Sequence, residues 1–174
     1  MLHTFKESLW KQFGASIDML QNALTLWQEE TWNNDKKFFY MAYHSLIMLD
    51  YYLTNPPKDF STPLPFSFAK PNQVPDGVIG DIVPNRTYTK QELLDYLQAS
   101  RKKCRQLIED LTEEKLQERW VEDEDASESM DYPVLEIFLY NMRHLQHHAA
   151  QLNMLLRQKI NQSPGWIAQA EDGL

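Results

Sequence analysis

The chain has 174 residues, enough for one domain with a real hydrophobic core, and 43% hydrophobic against 24% charged residues is the balance of a globular protein. A net charge of −8 argues against a nonspecific grip on nucleic acid, which needs phosphates neutralised by Lys and Arg. No apolar run reaches the ~18 residues that span a bilayer, and the opening Met1-Leu-His-Thr-Phe-Lys-Glu-Ser8 lacks the basic start and apolar stretch of a signal peptide. A single Cys, Cys104, rules out an intrachain disulfide and fits a reducing cytoplasm.

The first predicted helix covers roughly Phe5 to Glu30. Leu9, Phe13, Ile17, Leu20, Ala23, Leu24 and Trp27 recur at helical spacing. Asn33 and Asn34 are placed to break it and to cap the next helix. The second helix is predicted from about Asp35 to Leu53, with Phe38, Phe39, Ala42, Leu46, Leu49, Tyr52 and Leu53 apolar or aromatic. Asn55-Pro56-Pro57 stops it, because proline removes a donor and biases its predecessor away from the helix.

Residues 55 to 88 hold seven of the nine prolines and two of the five glycines, and no helical period survives there. Such a long connection inside a compact domain is usually functional or partly disordered. Phe60, Phe66 and Phe68 suggest that it packs against the body. Thr89-Lys-Gln-Glu92 then fits a capping box opening a third helix to about Leu111. Cys104 lies on this helix beside Arg101, Lys102, Lys103 and Arg105; with no His near in sequence it reads as an ordinary helical Cys rather than a nucleophile. Thr112 to Met130 reads as acidic and irregular. Its run Glu122-Asp-Glu-Asp125 lacks the Asp/Asn/Gly spacing of a calcium loop, so it is expected to be a solvated charged loop. The fourth helix is predicted from near Asp131, with Pro133 in its first turn, to about Asn161. No alternating pattern is long enough for a sheet. The expected fold is all-α: a four-helix bundle, one domain over residues 1–174, with a long Pro-rich connection between its second and third helices.

Chemistry concentrates on three histidines. His144 and His148 stand at i and i+4, one turn apart on a single face, a spacing that lets two imidazoles reach one metal ion. Projected at ~100° per residue, His148 lies ~60° from the centre of the apolar face, His144 ~100° and His147 ~160°. The first two border the core and His147 is expected to be exposed. His44 lies mid-way along the apolar second helix, among Tyr40, Met41, Leu46 and Tyr51. A lone His on an apolar face is more often a hydrogen-bonded core residue than a ligand, but bundle interiors are common places for metals. A third imidazole from His44 would complete a three-nitrogen set with coordination positions left open. No Glu-x-x-His occurs in the fourth helix, so a mononuclear site is expected rather than a di-iron one.

The mid-helix His in Tyr43-His44-Ser45-Leu46, the long connection, the capped Glu92-Leu-Leu-Asp-Tyr-Leu97 and the run His144-x2-His147-His148-x2-Gln151 together resemble the DinB/YfiT-like family of metalloenzymes, over essentially the whole chain. The resemblance implies a four-helix bundle, commonly dimeric, whose three His bind Zn, Ni, Mn or Fe; the ligands here would be His44, His144 and His148. It also implies a thiol-dependent transferase or isomerase using a low-molecular-weight thiol, as some members are. Ala149-Ala150 stands where Arg-Gly often precedes the Gln, which leaves any one member's substrate untransferable. Tyr40, Tyr51, Tyr140 and Asn141 are candidates to flank the ligands, and Gln151 to orient His148 or His147. Two other readings stay open: a metal- or ligand-binding stress-response protein without turnover, and an interaction protein whose histidines are ordinary.

Overall fold

The apolar stripe of the first segment finds two partners in the computed structural model, which describes residues 1–28, 30 and 36–174. Helix α1 spans Leu2–Leu26 and buries Leu9, Phe13, Ile17, Leu20 and Leu24. The break and cap expected at Asn33 and Asn34 lie outside the described residues. Helix α2 spans Lys36–Tyr52, with Phe38, Ala42, Leu46 and Leu49 buried. Helix α3 spans Lys90–Glu109. Its capping box is formed: Thr89 Oγ1 accepts from the Glu92 amide at 3.2 Å, and the Thr89 amide donates to Glu92 Oε2 at 2.8 Å. A short helix α4, Glu113–Gln117, follows Thr112, whose hydroxyl accepts from the Lys115 amide. Helix α5 spans Val134–Ile160 and stops at Asn161 in the left-handed conformation, φ 54°.

Among these, α1 packs on α5 and α3, and α2 packs on the same two helices. A shared core results, holding Trp10, Phe13, Phe38, Leu46, Leu97, Leu145 and Leu152. Phe13 meets Phe138 edge-on at 6.3 Å, tying α1 to α5. On the other side, buried Asp50 of α2 accepts from Tyr96 Oη and Lys103 Nζ of α3, both at 2.7 Å, so the carboxylate is paired where burial would otherwise be costly.

The connection between α2 and α3 is ordered. It contains a single 3-10 turn at Pro57–Asp59 and a ladder of β1, Phe66–Phe68, antiparallel to β2, Ile82–Pro84, with Ser67 opposite Val83. Two phenols pin it down: Tyr43 donates to the Leu64 carbonyl at 2.5 Å and Tyr88 to the Pro65 carbonyl at 2.6 Å. Phe60 and Phe66 pack against the core as expected, but Phe68 is 69% exposed and does not.

A second ladder corrects the start of the last helix. β3, Arg119–Val121, runs antiparallel to β4, Asp131–Pro133, so Asp131 is a strand residue and α5 begins at Val134. Arg119 holds the Asp131 carboxylate at 2.7 Å, and Pro133 sits extended at ψ 147° just outside the helix. Between the strands, residues 122–128 are exposed, as the acidic loop reading requires. Trp120 of β3 is fully buried and donates Nε1–H to the Thr54 carbonyl at 2.8 Å, which ties this hairpin to the end of α2. Residues 162–174 return along α1: the Ala170 amide donates to the Lys11 carbonyl at 2.9 Å, and Arg101 bridges Asp18 and Asp172. No helix among the described residues is long and apolar enough to cross a membrane.

Core packing outweighs capping in this arrangement. Phe13→Ala is expected to cost about 3–5 kcal/mol and Thr89→Ala about 1 kcal/mol, read as shifts in urea midpoint at constant slope.

Candidate metal centre

Helix spacing decides which histidines meet. On α5, His144 and His148 fall toward α2, while His147 points out and is exposed. His44, in the middle of α2, faces them. The three side chains each bring one nitrogen to within 4.8 Å of the others, and no other His/Cys/Asp/Glu group of this kind occurs among the described residues. His144 Nε2 is the hub, 3.1 Å from His148 Nε2 and 3.3 Å from His44 Nε2. Three nitrogens about 2.0–2.1 Å from one tetrahedral ion would stand about 3.3–3.4 Å apart, so the spacing fits a common cation.

Protons alone satisfy this cluster poorly. His148 Nδ1 lies 2.8 Å from Gln151 Oε1, an amide oxygen that can only accept. Nδ1 therefore carries the hydrogen, and Nε2 offers a lone pair to His144. If His144 Nε2 carries a hydrogen, that one hydrogen must serve both neighbours. If it does not, two lone pairs face each other at 3.1 Å. In either case the Nδ1 atoms of His44 and His144 are buried without a partner among the described residues. A cation accepting all three Nε2 lone pairs removes the conflict and assigns both remaining hydrogens to Nδ1. The residues present therefore fit a divalent metal ion.

The surroundings keep the imidazoles neutral, the form that ligates. Burial, then the neighbouring His148 and His144, pushes His44 down to about 3. Burial, then His148, His147 and Arg143, pushes His144 down to about 4. His148 is lowered mainly by burial, against the opposing pull of Gln151.

Aromatic rings wall the cluster. Tyr140 lies nearly parallel to the His144 ring at 6.2 Å, and Tyr52 meets His144 edge-on at 5.9 Å. Tyr51 donates to Glu122 Oε1 at 3.2 Å and packs edge-on against Phe60 and Trp120. Burial, then Glu122, raises the Tyr51 phenol, and burial, then Tyr140, raises that of Tyr52, so both stay protonated donors.

Of the flanking candidates, Tyr140 contacts a cluster His and Gln151 bonds one. Tyr40 instead packs on Phe39, and Asn141 is a strut whose amide donates to the Leu49 carbonyl at 2.9 Å. Tyr52 was not among the candidates. Its signal was its place eight residues after His44, about two turns along and ~80° round the helix, within one broad face. Cys104 is fully buried in α3, and burial raises its thiol pKa well above the ordinary range, so it is no nucleophile.

The sequence pattern of the DinB superfamily matches residues 4–152, a span that includes all three histidines and Gln151. The chain belongs to the DinB superfamily. No curated protein matches it, and no solved structure does. Membership in the DinB superfamily and the three-histidine cluster are both compatible with metal binding.

The depressed pKa values have a direction in stability. Unfolded imidazoles take up protons near about pH 6.5, whereas His44 and His144 in the folded chain do so only near 3 and 4. The unfolded state therefore binds protons first as pH falls. The metal-free chain should lose stability from about pH 6.5 downward through about pH 4. In chelator-treated protein, the urea midpoint is expected to fall further over that window for wild type than for His44→Ala. Equal falls would contradict the assignment.

Proposed function

We propose that His44, His144 and His148 hold one divalent metal ion through Nε2, and that the protein uses it to activate a low-molecular-weight thiol against an electrophile in the cytoplasm. The observation that carries this reading is the convergence of three Nε2 atoms that have at most one hydrogen at the hub, His144, to share between two neighbours. In this reading α1, α2, α3 and α5 form a DinB-type four-helix bundle, residues 1–174 are one domain, and the Pro-rich connection packs on α2 through Phe60 against Tyr51. A homodimer is the assembly expected from the family resemblance. Zn, Ni, Mn and Fe all suit three imidazoles, and cellular supply selects among them.

An ion on three neutral imidazoles keeps its full charge and supplies Lewis-acid activation, lowering the pKa of a thiol or water near it. The chain's own residues prepare the place. Gln151 fixes the tautomer and ring orientation of His148. Tyr140 and Tyr52 cover His144 and exclude water from that side. Tyr51, anchored on Glu122, holds a phenolic hydrogen between α2 and the acidic loop.

Metal-loaded protein is expected to accelerate conjugation of N-acetylcysteine with chlorodinitrobenzene. Chelation should abolish the acceleration and added metal restore it, and His144→Ala should remove it. Gln151→Leu is expected to weaken metal affinity about 10–100-fold. A protein that keeps its metal but accelerates no thiol reaction would instead be a metal-binding stress-response protein without turnover.

A further inference from the structure

Helix α5 has a second face. Leu139, Tyr140, Arg143 and Gln146 on it, with Gln12 of α1 and Trp166 of the returning tail, line an open groove of about 610 Å3. That volume lies within the ~300–1,000 Å3 of small-molecule sites. Trp166 lines it and is 72% exposed, although the tail carrying it is fixed. Gln12 Nε2 donates to the Ala168 carbonyl at 3.2 Å, and the Arg101–Asp172 pair anchors the tail's end at 2.7 Å. A large exposed ring on a tail anchored at Ala168, Ala170 and Asp172 is a surface ready for a flat apolar ligand.

The charge in this groove is uncommitted. Arg86, Arg101, Arg105 and Arg119 are ion-paired, and Arg157 donates to Ser163 Oγ. Arg143 has no hydrogen bond or ion pair among the described residues. Its guanidinium instead stands 5.4 Å from the Tyr140 ring centre. The groove's other charge, Glu136, lies seven residues back, two turns or about 10 Å along the helix, too far to occupy Arg143. Tyr140 joins the two places: it lines the groove, and its ring lies 6.2 Å from His144.

We propose that this groove binds a small organic anion, a carboxylate on an aromatic or apolar body. Arg143 takes the carboxylate, and Trp166 and Leu139 pack the body. The planar guanidinium fork matches a carboxylate with two parallel hydrogen bonds. The anion would lie across Tyr140 from the histidine cluster, as the specificity subsite of the reaction proposed above. The inference rests on that reading for its purpose only, since binding in the groove needs no metal.

The test uses the S-dinitrophenyl conjugate of N-acetylcysteine and its neutral carboxamide, titrated into metal-loaded protein while tryptophan fluorescence is followed. The carboxylate conjugate is expected to bind on the order of tenfold more tightly than the amide. Arg143→Gln should remove that preference, Arg143→Lys should keep part of it, and Trp166→Phe should remove most of the quenching. His44→Ala protein should show the same preference, so the groove stands even if the protein lacks metal or turns nothing over. Equal binding of the two conjugates, or a preference unchanged in Arg143→Gln, overturns the proposal. So does a groove closed by a second copy of the chain, seen as a sedimenting dimer that Trp166→Asp dissociates and that excludes both conjugates.

Discussion

Three imidazole nitrogens meet between α2 and α5, close enough that their lone pairs and hydrogens must be shared. Helices packed along a continuous apolar stripe gain from every leucine and phenylalanine they cover, and the positions of His44, His144 and His148 would suit such residues. Polar rings there bring orphaned nitrogens instead, a cost of burial without compensation. The rest of the molecule reads as what holds these rings in place. Phe13 against Phe138 sets α5 on α1, and Asp50 between Tyr96 and Lys103 sets α2 on α3. With both helices fixed from behind, the rings have little room to part.

The two ends of the cluster are supported unequally. His148 has a protein acceptor for its Nδ1 hydrogen in Gln151, whereas His44 and His144 have none among the described residues. His144 is braced by stacking: Tyr140 beside it and Tyr52 edge-on. Aromatic packing fixes a ring's plane without fixing its tautomer, so a central cation would decide the protonation of two of the three rings. This makes the cluster a poor structural device without an ion and a coherent one with it. The same Tyr140 stands beside His144 and Arg143 and lines the groove that Trp166 also lines.

Much of this was legible residue by residue. The angular separation of His147 from the apolar face excluded it from the cluster, and it is exposed. Thr89 and Glu92 declared a helix start because each side chain satisfies the other's amide, an interaction local enough to read from spacing. What escaped depends on contacts distant in sequence. Both ladders are three residues long, too short for an alternating pattern, and the one at 119–121 forms only because 131–133 returns to it. That return is why Pro133 stands outside α5 rather than in its first turn. Phe68 looked like an anchor by composition, but its ring rests edge-on against Phe66 and stays largely exposed. The groove was invisible for the same reason: one of its walls is a tail residue brought back by Asp172 and Ala170.

Metal content of untagged protein purified without chelators tests the central claim most directly. Wild type should be measured beside His44→Ala, His148→Ala and His147→Ala. One divalent ion per chain is expected in wild type and in His147→Ala, and none in the other two. Protein that carries no metal and takes up no zinc, nickel or manganese, or that loses its metal equally in His147→Ala, would contradict it.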